Sequence, residues 1–416
     1  MKHVSIVALG IALTLGVAAS PTFAKEAKPA PTKLTPAVQN ALVAAQKAVQ
    51  AGDAATAAPQ LAAAKAAIVT DDDKFMVGSI EYQLFQKTKD AALEKEALDL
   101  IADSGKGEAS MRAQVLTAQS QIAYVGKDYP KAVKAAQAAI AAGAADPNLT
   151  PILVESLRQS GQITAAMQAL NDAIAKQQAA NQPVDPAWYQ RGYAIAYSAK
   201  QNDPGYAAIR QQGIELSKKW VAAQPKSEVW HDALLLYRDS TPQDADLKLD
   251  TFRLNLAAGS LHGAGEYLEY AEAVYQRYPG EAKTVLDTGV AKGALILASS
   301  RNAAEISQIV NGKVAADKAS LAASDKSARA AANGKAAQST ADAYLSYKDY
   351  AKAIDLYNVA LQKGGVDPNV VNTRIGEAQY ASGDKAAAKA TFAKLTGPRK
   401  DLADFWTILV DHPVVG

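Results

Sequence analysis

The 416-residue sequence contains no cysteine. Disulfides are therefore impossible, thiol nucleophiles are excluded, and no lipid anchor can be built on a cysteine at a cleavage point. Histidine is almost as scarce, with four in all: beyond His3 there are only His231, His262 and His412. No H-E-x-x-H pair, phosphate-cradling glycine loop or G-x-S-x-G elbow is present. An excess of one charge is also missing. Lys and Arg number 44 against 42 Asp and Glu. No basic stretch is interleaved with aromatics, so nucleic acid is not an expected partner. Runs of alternating β-branched residues are scarce, and beyond the first two dozen residues no segment is apolar enough to span a membrane. A chain with these gaps must be held by packing alone, and nothing in it marks a catalytic centre.

What is there favours helix. Ala dominates, with Leu, Lys, Gln and Glu, residues that lose little entropy in a helix. The start reads as an export signal. Lys2 and His3 precede an apolar run from Val4 to Ala19, and Pro21-Thr22-Phe23-Ala24 offers a small residue for cleavage. The expectation is a signal peptide over 1–24, cut after Ala24, and a periplasmic or secreted chain without a lipid anchor. Residues 25–36, with Pro29, Pro31 and Pro36, read as an extended tether.

Internal repetition is the strongest signal. Residues 127–148 read KDYPKAVKAAQAAIAAGAADPN and residues 348–369 read KDYAKAIDLYNVALQKGGVDPN, with ten of 22 positions identical. Each copy opens on a turn carrying Asp, runs through a helix, and stops at Gly and then Asp-Pro-Asn. A spacing of four and then three recurs, opening on Ala each time. It occurs as Ala132, Ala136 and Ala139; Ala166, Leu170 and Ala173; Ala353, Tyr357 and Ala360; and Ala388, Phe392 and Leu395. Ala57, Leu61 and Ala64, and Ala282, Leu286 and Gly289, repeat it. These positions share one helical face, so neighbouring helices can approach at the small residues and interlock at the large one. Twelve residues upstream the preceding helix is small again, at Ala45, Ser120, Ala341 and Gly376.

A period of 34 or 35 residues with this turn and spacing resembles the tetratricopeptide repeat. The resemblance implies a right-handed α-solenoid of helix-turn-helix hairpins, all-α. It is clear over 107–180 and 336–396, fair over 37–67, and divergent from about 183 to 300. The chain therefore reads as N-terminal hairpins over 37–182, divergent aromatic-rich hairpins over 183–300, and C-terminal hairpins over 336–398. Residues 301–335, rich in Ala, Ser, Lys and Asp, are either a long, poorly buried helix or a partly disordered connector. Residues 399–416 hold a short helix with Phe405, Trp406, Ile408 and Leu409, which reads as a cap for the last hairpin or as an exposed docking helix.

Three patterns with chemical overtones weaken on inspection. Ser382 to Lys385 spells S-x-x-K but falls in a repeat turn without companion motifs. Asp71-Asp72-Asp73 cannot converge on one calcium ion and suits a helix N-terminus. His262, Glu266 and Glu269 share a helix face, but a single His with two acids is commonly a solvated surface. Neither a metal nor a cofactor is expected.

Recognition remains. Twelve of the 21 Trp and Tyr residues lie between Trp188 and Tyr278, and aromatics dominate the energetic centres of interfaces. If Trp188, Gly192 and Ile195 form a packing stripe, Tyr189, Tyr193 and Tyr197 form the stripe beside it. The tetratricopeptide resemblance implies that this adjacent stripe lines the concave groove. The same phase after Trp230 selects His231, Leu235 and Arg238, and Tyr267 and Tyr270 are candidates on the next hairpin. The expected role is a non-catalytic scaffold or assembly factor of the bacterial envelope that binds a protein or peptide. The alternative is a carrier holding a small molecule, lipid or glycan fragment in an aromatic-lined groove.

Overall fold

The structure is a computed structural model that describes residues 33–415; the leader and residues 25–32 of the tether lie outside the described residues. Among those residues there are twenty α-helices and no strand, and the chain divides into two compact units, up to Ala173 and from Ile174 onward.

The first unit contains α1 (Pro36–Ala51), α2 (Ala54–Ala66), α3 (Asp71–Thr88), α4 (Ala91–Ser104), α5 (Ala109–Val125), α6 (Tyr129–Ala141), α7 (Leu149–Gln159) and the start of α8 (Ile163–Ala179). Helices α1 and α2, α3 and α4, and α5 and α6 pair as hairpins, and the first helices α1 and α3, and α5 and α7, touch. The alanine spacing explains the pairing. Ala57, Leu61 and Ala64 are buried, as are Ala132, Ala136 and Ala139, and Ala45 and Ser120 face them from the preceding helices. The turns follow one design. Gly52 and Lys127 take left-handed φ of 78° and 59°, and the Asp after each caps the next helix, Asp53 accepting from the Thr56 N–H and Asp128 from the Lys131 N–H. The acidic run at 71–73 opens α3. Thr70 and Asp73 form a reciprocal capping box, and Asp73 also accepts the Thr35 and Val69 N–H groups. Burial raises the Asp73 pKa, but these N–H donors outweigh it and hold the carboxyl below its usual range.

The second unit contains α9 (Pro186–Ser198), α10 (Tyr206–Ala223), α11 (Ser227–Ser240), α12 (Ala245–Ala257), α13 (Gly263–Val274) and α14 (Pro279–Ala291). It continues with α15 (Arg301–Ala330), α16 (Lys335–Ser346), α17 (Tyr350–Lys363), α18 (Pro368–Ala381), α19 (Lys385–Phe392) and α20 (Lys400–Asp411). Its hairpins are α9–α10, α11–α12, α13–α14, α16–α17 and α18–α19. The connector region is a single 30-residue helix, α15, that buries only Ala303, Ile306, Val310, Leu321 and Ala328. Standing alone, it changes the parity of the array. Before it, the second helices of hairpins face inward; after it, the first helices do. The unit thereby folds on itself, with α14 against α16, α12 against α18, and α10 against α20.

Helix α20 makes that closure at the C-terminal end. One side covers the last hairpin, with Trp406 stacked on Phe392 at 5.6 Å. The other side places Phe405 6.0 Å from both Trp230 and Tyr237, and Lys218 of α10 meets Asp401 at 2.6 Å and Asp404 at 3.0 Å. It is both a cap and a clasp. The S-x-x-K segment is a repeat turn, where Ser382 Oγ donates to the Gln379 carbonyl and Asp384 caps α19.

Candidate binding surface on α9 and α11

The position of the tyrosine stripe follows from a close helix crossing. Trp188, Gly192 and Ile195 are buried, and a Cβ on Gly192 would come within 2.2 Å of Leu216 Cδ1. That contact fixes the rotation of α9 and turns Tyr189, Tyr193 and Tyr197 one step away from the packing seam. Tyr189 and Tyr193 are half-buried, and Tyr197 is 48% exposed. The Tyr193 ring rests against Trp220 at 5.6 Å and is stacked on Tyr197 at 5.6 Å. Burial, then the carboxylate of Asp232, the Tyr197 hydroxyl and the carboxylate of Asp239, push the Tyr193 hydroxyl well above its ordinary pKa.

Helix α11 repeats the arrangement. Trp230, Leu234 and Tyr237 are buried, and His231, Leu235 and Arg238 are half-buried beside them. His231 Nε2 lies 3.3 Å from Glu266 Oε1 of α13, Arg238 approaches the same oxygen at 3.8 Å, and Glu266 Oε2 accepts the His262 N–H at 2.7 Å. The hydrogen bond to Glu266 raises the His231 pKa against the opposing effect of burial. The structure places His262 edge-on to His231, with ring centroids 4.2 Å apart. Glu269 instead pairs with Lys248 at 2.7 Å, so of the three residues considered as metal ligands it turns away from the other two, which meet at His231.

Tyr267 and Tyr270 do not join this surface. Each is 1% exposed. The buried stripe of α13 runs Tyr267, Tyr270, Ala271 and Val274, so the phase expected from the sequence is wrong by one step. Tyr267 packs against Gly289, where a Cβ would come within 2.9 Å of its ring. Tyr270 stacks on Phe252 at 5.0 Å and donates to Glu281 Oε1 at 2.5 Å. Both are core residues with a partnered or enclosed ring.

Sequence reasoning missed the most polar part of the unit, a charge cluster where α12, α14, α16 and α18 meet. Asp250 accepts from Arg253 at 3.2 Å, Arg374 at 3.1 Å and Arg399 at 2.5 Å. Arg253 grips Glu281 with two hydrogen bonds, of 2.8 and 2.9 Å, and Arg374 binds Asp342 at 2.9 Å. Tyr278 and Tyr357 donate to Asp342. Burial acts to raise the Asp250 pKa, but the three guanidiniums outweigh it and hold the carboxyl below its usual range. Glu377 goes the other way. Burial and then the Asp250 charge push it well above the ordinary carboxylate range; its Oε1 has no hydrogen-bond partner, and its nearest cation, Arg253, is 3.4 Å away. The only sequence signal was the three-residue spacing of Asp250 with Arg253 in α12 and of Arg374 with Glu377 in α18.

The first unit carries an open depression of about 710 Å³ lined by α4, α5 and α6, including Arg112, Leu116, Lys131 and Lys134. Two of its lining residues, Lys131 and Gln119, converge on Asp99, at 2.5 and 2.7 Å.

No family model matches this sequence, and no curated protein does either. Solved structures do show likeness. The complex of the TPR2AB domain of yeast Sti1 with pHSP90 is 13% identical over 73% of this chain and 99% of that one, with a TM-score of 0.26. A tetratricopeptide repeat protein from Parabacteroides merdae is 13% identical over 73% of this chain and 100% of that one, also with a TM-score of 0.26. By its own repeats, and by the packing they produce, the chain is an all-α array of tetratricopeptide-like helical hairpins.

Proposed function

We propose that the protein is a non-catalytic scaffold of the bacterial envelope that holds a protein or peptide segment along the α9–α11 face. One observation carries this reading: among the described residues Tyr197 is the one aromatic side chain (Phe, Trp or Tyr) left exposed, and it does not stand alone. Tyr197, half in water, is stacked on Tyr193, which is braced in turn by the buried Trp220. A rigid ring pair at a surface is the kind of anchor that dominates interfaces. The interior of the unit is occupied by ion pairs and packed rings, which favours a surface partner over an enclosed cargo. The export signal expected at 1–24 supports an envelope partner.

Tyr197→Ala tests the reading cleanly, because this ring carries little of the core. Stability should change by about 0.5 kcal/mol or less, whereas partner affinity should fall by about 2 kcal/mol. The measurement is a paired melt and affinity capture from an envelope extract, wild type against variant. A partner held equally by both proteins removes Tyr197 from the site. Tyr193→Ala is less informative, since losing its contact with Trp220 also destabilises the fold. N-terminal sequencing of secreted protein should begin at Lys25; full-length chain recovered in the inner membrane overturns the location.

A further inference from the structure

We infer that the segment bound on the α9–α11 face is basic, docking Lys or Arg side chains against the Tyr193–Tyr197 pair. This rests on the reading of that face as the binding surface and adds the chemistry of the partner. Glu228, Asp232, Leu235 and Asp239 stand at i, i+4, i+7 and i+11 on α11, one continuous stripe. It runs beside the tyrosines because α9 and α11 are in contact, and both Asp232 and Asp239 act on the Tyr193 hydroxyl.

The carboxylates are weakly engaged. Asp232 and Asp239 have side chains 40% and 41% exposed, and the ion-pair contacts they make, to His231 and Arg238, are long at 3.5 Å. Arg238 is shared with Glu266 at 3.8 Å. Arg210, the other cation facing Tyr193, is buried and turned to Ser240 Oγ and the Ala196 carbonyl. Asp232 and Asp239 thus stand near an exposed ring with only long contacts to cations. The negative face of an aromatic ring attracts ammonium and guanidinium groups, and flanking carboxylates add to that attraction at short range.

The test uses the full-length mature protein with fluorotyrosine incorporated, titrated with two synthetic peptides of equal length. One alternates lysine with serine, and the other alternates glutamate with serine. The lysine peptide should shift the Tyr193 and Tyr197 resonances, and the shift should weaken as salt is raised. Asp232→Asn combined with Asp239→Asn should weaken lysine-peptide binding by about fivefold, the scale of an exposed cation–π or ion-pair contact. Asp239→Asn alone, which disturbs only the Arg238 contact, gives a second reading should the double variant melt early. If the glutamate peptide shifts the tyrosines and the lysine peptide does not, the charge inference fails while the surface stands. Lysine-peptide binding that is indifferent to both variants also overturns it. If neither peptide moves either tyrosine, the surface itself is wrong.

Discussion

The two units are built from one repeat and joined internally in different ways. In the first, hairpins meet through alanine crossings, and its salt bridges lie near the surface, as at Lys131 and Asp99. Of its buried carboxylates, Asp73 accepts backbone N–H groups and Glu81 has a half-exposed partner, Lys65. In the second, Asp250, Glu281, Asp342 and Glu377 are buried with Arg253, Arg374 and Arg399, and the pairs bridge residues 124 and 149 positions apart. The difference follows from topology. An array that contacts only its sequence neighbours needs one repeated apolar seam. A unit that folds on itself must also specify which distant helices meet, and buried ion pairs do this through geometry more than through net stability.

Breaking the second kind of joint should have the largest effect. Arg374→Met leaves Asp250 and Asp342 short of a cation and should cost about 3–5 kcal/mol. Lys131→Met in the first unit removes a half-exposed pair and should cost about 1 kcal/mol or less. Chemical denaturation with hydrogen exchange as the local probe separates them. Equal costs would erase the distinction between the units.

Overpacking the shared seam should instead treat the units alike. Ala132 and Ala353 occupy the same repeat position, and both are fully buried. Ala132→Leu and Ala353→Leu should each cost about 1–3 kcal/mol, with loss of exchange protection centred on α5–α6 and α16–α17. An unchanged melt for either places that alanine at the surface and breaks the repeat register.

The seam was legible in the sequence because a helix of period 3.6 writes its buried face into residue size. Ala57, Leu61 and Ala64, or Ala388, Phe392 and Leu395, carry the crossing without outside information, and all are buried. The tyrosines of α9 were legible for the same reason, once Trp188 and Gly192 set the phase. Tyr267 and Tyr270 were not, because α13 opens at Gly263 with apolar and aromatic residues on more than one face, and either phase is plausible. The charge cluster was the least legible part. Arg374 and Asp250 look like solvent residues locally, and only the closure of the unit, set by α15, brings them together.

Glu377 gives a smaller effect that titrates. Four buried carboxylates face three buried guanidiniums, with the half-exposed Asp246 also on Arg374, and the orphan Oε1 of Glu377 is the natural seat for a proton. Its folded pKa is raised above the unfolded value, so its contribution is fully present below the unfolded pKa. That contribution is lost as pH rises from the ordinary glutamate value of 4.5 through the folded one. Glu377→Gln removes the titration. The variant should gain on wild type as pH rises, by about 1.4 kcal/mol for each pKa unit separating the folded and unfolded states. A parallel pair of stability–pH curves would mean that Glu377 is ionised in the fold.

The smallest effect compares the turns. After α1, α5, α7, α16 and α18 the chain makes the same cap, in which one N–H bonds back three residues and the next bonds back five. The pairs are Gly52 and Asp53, Lys127 and Asp128, Gly161 and Gln162, Lys348 and Asp349, and Gly383 and Asp384. The first residue of each pair has positive φ, as a Schellman cap requires. Three of the five are glycine, which enters this region without strain; the lysines at 127 and 348 do so against the clash of their Cβ. Replacing either lysine with glycine relieves that clash but frees the unfolded chain, which returns about 0.4–1 kcal/mol. The net gain should be about 0.5 kcal/mol, and it should be the same at Lys127→Gly in the first unit and Lys348→Gly in the second. Unequal gains would show that the turn is strained differently in the two units, so that their difference reaches beyond the charge cluster into the repeat itself.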